Sequence, residues 1–169
     1  LFGNDISQRQ WDNSLHHRDF QYISGDDPTD PNRADAVALI GQNVGLLKDG
    51  AGTLILTGVS TYAGATVVRG GTLSLATVED AATSSGRLVN SSVTVESAGL
   101  LTGDGTVVNA VTNEGTFVPG NGEYGSAFTA GTYTQQGTAS RLILGLDASG
   151  DHTSLNAATL QFNGGRIVL

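Results

Sequence analysis

The pentapeptide Gly-Thr-Leu-x-Leu occurs at Gly52 and again at Gly71, 19 residues later. A unit this short cannot bury its own apolar face, so recurrence at a fixed interval points to a solenoid in which each coil stacks on the next. A Thr-x-Val run in SVTV, from Ser92 to Val95, falls about one interval further on. Short runs with period-two apolar spacing fill the rest of the chain from Val44: ATVV, GTVV, GTFV, TYTQ, RLILGL, TLQF and RIVL. Each has one buried face. Gly, Asn or Ser separates nearly every pair and supplies tight corners. The reading is all-β, a right-handed parallel β-helix over residues 44–169, with Leu54, Leu56, Leu73, Leu75, Val93 and Val95 pointing inward in stacked ladders. An antiparallel β-sandwich also has short strands at regular spacing, but it explains the repeated motif less readily.

Composition supports folding and narrows function. Charged residues make up 14% of the chain, and 24 glycines accompany only three prolines. Disordered segments carry more charge and fewer β-branched residues. The net charge is −8, and Lys48 is the only lysine. The arginines are scattered singly, so no basic stripe exists to displace counterions from nucleic acid or to bind an anionic membrane. Absence of Cys removes disulfides, thiol nucleophiles and Cys-type zinc sites. No initiator Met, signal peptide or long apolar run is present, and targeting information is expected to lie outside this sequence.

Residues 1–43 differ in texture. They hold Phe2, Trp11, Phe20 and Tyr22, and the polar stretch from Gly25 to Asp35 has two Asp-Pro steps that read as an exposed loop. Just beyond that loop, ADAVALIG fits a helical turn or a buried strand. The expectation for residues 1–43 is an irregular cap or insertion with an Asp/Pro loop, preceding the stem of residues 44–169.

The stretch from Leu46 to Ala76, LLKDGAGTLILTGVSTYAGATVVRGGTLSLA, resembles the passenger-associated repeat of bacterial type V autotransporters. The family pattern is met by Leu46, Lys48, Gly50, Gly52, Thr53, Leu54, Leu56, Gly58, Tyr62, Gly64, Thr66, Val68, Gly71 and Leu73. The following segment, with its Pro119-Gly120-Asn121 corner, resembles the usual continuation, and the residues from Thr132 onward are similar to the tail preceding the outer-membrane barrel. FGNDIS near the start resembles the segment after a subtilisin-like protease domain in one branch of the family. The resemblance implies a β-helical stem exported through the periplasm and outer membrane to the cell surface or beyond. It also implies an upstream passenger domain, in one branch a serine protease, and a C-terminal β-barrel in the same precursor. Membrane-proximal coils of the family are implicated in starting passenger folding. The lack of disulfides leaves such a chain free to thread a pore.

Side chains that invite a chemical reading have plainer ones. His16 and His17 are adjacent and face opposite ways on an extended segment, which suits a solvated loop better than a metal pair. Asp26, Asp27, Asp30 and Asp35 lack calcium-loop spacing. His152 follows Asp151, yet no nucleophile elbow accompanies them. Gly50 and Gly52 precede a strand rather than a helix, so they form a coil corner and not a dinucleotide site. Tyr62 and Tyr133 could stack sugars; packing at a coil corner fits their sparse spacing better. A carbohydrate-active site would need paired carboxylates such as Asp80 and Glu96 with Arg87 between them. The expectation is a non-catalytic stem and folding scaffold with no cofactor, no metal and no nucleic-acid partner. The alternative is an adhesive module presenting a β-helix face to a host surface protein or glycan, with Trp11, Phe20 and Tyr22 as anchors; a carbohydrate-active enzyme fragment is the third reading.

Overall fold

A computed structural model describes residues 44–76, 86–120 and 125–169. Among them are twelve strands and no helix: β1 (Leu46–Lys48), β2 (Thr53–Leu56), β3 (Val59–Ser60), β4 (Thr66–Leu75), β5 (Arg87–Leu88), β6 (Val93–Gly103), β7 (Thr106–Asn113), β8 (Thr116–Pro119), β9 (Ala127–Gln135), β10 (Arg141–Ile143), β11 (Ser154–Phe162) and β12 (Arg166–Val168). Every pairing between these strands is parallel. A sandwich of hairpins would be antiparallel, so the described residues form a parallel β-helix.

The registers resolve three faces. On face A the inward rungs are Leu46, Thr66, Val93, Val111, Tyr133 and Leu160, with a second column of Lys48, Val68, Val95, Asn113, Gln135 and Phe162. Face B stacks Leu54, Leu73, Leu101, Phe117, Leu142 and Ile167. Face C stacks Ser60, Leu88, Val107, Ala130 and Ala157. The described residues thus make six coils, numbered here by their face-A rungs.

Period-two spacing sends alternate side chains inward, and the inward set makes one continuous core. Leu73, Leu75, Leu88, Val95, Leu101, Val107, Val111, Phe117, Phe128 and Tyr133 are fully buried. Phe117 meets Phe128 edge-on at 5.0 Å and Tyr133 at 5.5 Å. Burial of this kind stabilises by roughly 1.5–3 kcal/mol for each large apolar side chain. Among the described residues none packs on the far side of the last coil, and Leu160, Phe162 and Ile167 are about half exposed.

The expected ladder pairs Leu54–Leu73 and Leu56–Leu75 are in register. The expected third rung is not. Val93 and Val95 are buried but belong to face A, over Thr66 and Val68; the residue above Leu73 is Leu101. Coil 2 is longer than coil 1 because extra chain intervenes between Leu75 and Arg87, so a fixed interval counted from Leu73 lands one face too early. The expected cap at 1–43, with His16, His17, Trp11, Phe20, Tyr22 and the Asp residues 26, 27, 30 and 35, lies outside the described residues, as do Asp80 and Asn121.

Candidate functional site

The corner between faces A and B holds the buried polar residues Lys48, Asn113, Gln135 and Ser140. Lys48 occupies an inward position and is buried. Its ammonium donates to the carbonyls of Asp49 (2.9 Å), Gly50 (2.8 Å) and Gly70 (2.9 Å). Three charge-assisted hydrogen bonds use its three protons, which is what allows a lysine to sit at a core position. Two of the acceptors belong to its own corner and the third to the corner of the next coil. Gly71 makes room for this arrangement: its φ is +68°, and a Cβ there would strike the Gly50 carbonyl and lie 2.7 Å from the lysine nitrogen. Gly50 and Gly52, the pair that could suggest a nucleotide loop, connect β1 to β2 around this corner, Gly50 at φ +73°.

Two buried tyrosines anchor Thr66, Ser91, Asn113 and Gln135. Tyr62 shares a 2.6 Å hydrogen bond with the Thr66 hydroxyl, which shares another of 2.8 Å with Ser91 one coil on. Burial raises the Tyr62 pKa, and the hydrogen bond with Thr66 opposes it. Tyr133 accepts from the Asn113 amide at 3.0 Å and donates to Gln135 Oε1 at 2.9 Å. Burial pushes its pKa up to about 12, partly offset by Asn113. Both rings are at most 1% exposed. Neither offers a face to a sugar, which removes the stacking reading. No buried side-chain N or O among the described residues lacks a partner. The interior polar side chains of the described residues are therefore satisfied within the fold.

Outside the same corner, the next residue of each face-A strand forms a column of Asp49, Arg69, Glu96, Glu114, Gln136 and Asn163. Arg69 lies 3.8 Å from Asp49 and 3.6 Å from Glu96; Gln136 donates to Glu114 at 2.7 Å. These pairs are half-exposed, so they tune the surface more than they hold the fold. Glu96 is thus paired with Arg69, whereas Arg87 stands on face C, exposed. The structure does not assemble Glu96 with Arg87 as a hydrolytic pair.

The three longest connections all leave at the corner between faces B and C: Ala76 to Gly86, Gly120 to Ser126, and Leu144 to Thr153. The first is pinched shut by the hydrogen bond from Gly86 N to Ala76 O at 3.0 Å, and the other two are joined by Gly125 N to His152 O at 2.9 Å. In the third, Asp147 Oδ1 accepts from the Ser149 hydroxyl (2.7 Å) and from the backbone N–H of Ser149 and Asp151 (2.9 Å each). Foremost the Ser149 hydroxyl, aided by those backbone groups, holds the Asp147 carboxyl below the usual carboxylate range. Ser149 thus serves Asp147, and the His152 ring is exposed with its Nδ1 3.4 Å from the Gly150 carbonyl. These side chains do not form a nucleophile–base relay. No group of three or more His, Asp or Glu converges among the described residues.

The repeat now has a physical description: apolar rungs on faces A and B, a buried serine on face C, a lysine seated in carbonyls, a glycine above it, and a buried tyrosine tied to a threonine. Residues 46–75 match the family described as Passenger-associated-transport-repeat. The match supports reading the chain as a passenger segment of an autotransporter. Most of the positions that define the motif fall on structural tasks in the passenger coils: Leu54, Leu56, Val68 and Leu73 in the core, Lys48 and Gly71 at the corner, Tyr62 and Thr66 in the interior hydrogen bonds. Gly64 sits against Val44, where a Cβ would meet the Val44 carbonyl. Gly58 caps the start of β5 by accepting from Arg87 N at 3.0 Å. A passenger repeat implies a secreted or cell-surface protein. No curated protein and no solved structure matches the chain.

Asn113, Gln135 and Ser91 are interior polar residues that sequence reasoning missed. A signal was available for two of them. TNEGT at Thr112 and TQQGT at Thr134 share the pattern Thr-amide-x-Gly-Thr, marking the same coil position twice.

Proposed function

We propose that this segment is a non-catalytic stem and folding scaffold that holds an upstream functional domain of the passenger away from a C-terminal outer-membrane barrel in the same precursor. The observation that carries this reading is that the buried polar side chains of the described residues are all satisfied inside the fold, Lys48, Thr66, Asn113 and Gln135 by bonds to the next coil, along a stack whose three faces run without interruption. Such a stack folds coil upon coil, which suits a chain that emerges progressively from a pore. The serine protease branch, suggested by FGNDIS, would place the chemistry upstream. The direct test is surface display of the full precursor carrying Leu73→Asp, which buries an unpaired charge. Under the stem reading, display of a folded passenger is lost while barrel insertion is unchanged. Normal display of a folded passenger by that variant would overturn it.

A second reading is favoured by one observation: the long connections leave at a single corner, and in solenoids such insertions commonly build the binding face. On this reading the B–C edge meets a host surface protein or glycan. Shortening the Leu144–Thr153 connection would then abolish adhesion of displaying cells while leaving the stem folded; undiminished adhesion would refute it.

A further inference from the structure

The interior amides form one unbroken series across three coils. The Asn113 amide in coil 4 donates to the Arg141 carbonyl in coil 5 at 2.9 Å and to Tyr133 at 3.0 Å. Tyr133 in coil 5 donates to Gln135, and the Gln135 amide donates to the Arg166 carbonyl in coil 6 at 3.1 Å. Lys48 does the same between coils 1 and 2 through Gly70. In each of these three cases the donor reaches one coil toward the C-terminus. The coil that receives the bond is shaped for it at both ends of the helix. Gly165 in coil 6, at φ +74°, stands where a Cβ would lie 2.6 Å from the Gln135 amide nitrogen, as Gly71 does over Lys48. Phe162, one rung beyond Gln135, replaces the amide with a ring packed 6.0 Å from Tyr133 and ends the series.

We infer that Asn113 and Gln135 are one-way coupling residues that make coils 4, 5 and 6 a single cooperative unit. Until the following coil is seated, the Asn113 amide lacks both its acceptors, and the Gln135 amide keeps only a long 3.5 Å bond to the Ser140 carbonyl of its own coil. The penalty for a buried polar group without its partner corresponds to about 5- to 150-fold in an opening equilibrium. Coil 5 is therefore more stable with coil 6 in place, and coil 4 with coil 5. Val68 and Val95, at the same inward position of coils 2 and 3, supply no such donor, so coupling at that column is interrupted in the middle of the stem. This extends the stem reading but rests on geometry alone. The test below uses the isolated chain, so its failure would leave export untouched, and failure of the display experiment would leave this coupling standing.

The experiment is segment-resolved hydrogen exchange on the whole chain, with Leu160→Pro breaking the pairing of coil 6 to Tyr133. With Gln135 present, the break should raise exchange across β10 and the second half of β9 by about 5- to 150-fold. In a Gln135→Met background the same break should raise it less than about threefold, because no buried amide is then orphaned. Equal increases in both backgrounds would overturn the inference. Should Leu160→Pro fail to fold, a urea series of exchange on the parent and on Gln135→Met replaces it. Coils 5 and 6 should then lose protection together in the parent and at separate urea concentrations in the variant. Joint loss in both proteins would overturn the coupling.

Discussion

Leu73 is fully buried, with Leu54 on one side and Leu101 on the other in the face-B ladder. Truncation to Ala removes the atoms that touch both neighbours. Both flanking strands are pinned by parallel backbone pairing, so the site has little freedom to collapse. Leu→Ala substitutions in cores cost about 2–5 kcal/mol, the larger values where a cavity persists. Leu73→Ala should therefore lie near ~4 kcal/mol. Leu54, partly buried in the first described coil, should lose about half as much, because part of its lost contact is with solvent. Ile167, 52% exposed on the last coil, should lose less than about 1 kcal/mol. The assay is urea unfolding followed by far-UV circular dichroism, comparing midpoints at constant slope so that changes in the denatured state are not mistaken for stability. Equal losses at Leu73 and Ile167 would refute the reasoning, since one lies deep in the ladder and the other at its open end.

Four further outcomes follow from the same geometry. Gly71→Ala should destabilise by about 2 kcal/mol or more, because it adds strain at positive φ and drives a methyl into the Lys48 seat; a midpoint unchanged in urea would contradict the corner assignment. Tyr133→Phe should cost about 1–3 kcal/mol by leaving Gln135 Oε1 without its donor, and unfolding against the parent measures it. The folded-state pKa of Tyr133 lies above its ordinary value of 10, at about 12, so the unfolded chain loses the phenol proton first. Stability should hold below pH 10 and fall as pH rises from 10 toward 12; the slope should be shallower in Tyr133→Phe, and identical slopes would show that the phenol is not protected. Arg69→Ala should change stability by less than about 1 kcal/mol, because its partners are half-exposed, a value thermal unfolding in low and high salt can check.

The repeat unit and its inward leucines were legible because Gly-Thr-Leu-x-Leu recurs with the same alternation, and alternation maps directly onto inward and outward positions. The stacking of coil 3 was not. Period-two spacing says which side of a strand is buried but not which face of the helix the strand occupies, and a longer connection in coil 2 shifts every later residue. Val93 and Val95 therefore read correctly as buried and incorrectly as the rung above Leu73 and Leu75. The interior amides were hidden for a different reason. Asn113 and Gln135 stand at inward positions where an apolar residue is expected, and only the approach of the next coil's carbonyls makes them favourable there. Tyr62 and Tyr133 illustrate the same limit: nothing local in the sequence separates a tyrosine whose hydroxyl is satisfied inside from one that faces a ligand.

The most direct test of the stem is the distance between outward positions of face A measured with paired spin labels. Leu47, Val67, Thr94, Thr112, Thr134 and Gln161 occupy successive coils in register. Parallel strands stack about 4.8 Å apart, so labels at Leu47 and Gln161 should be centred near ~24 Å, and at Val67 and Gln161 near ~19 Å, one coil shorter. That stepwise change is expected of a continuous stack. Distances that fail to lengthen with the number of intervening coils would contradict it and, with it, the stem.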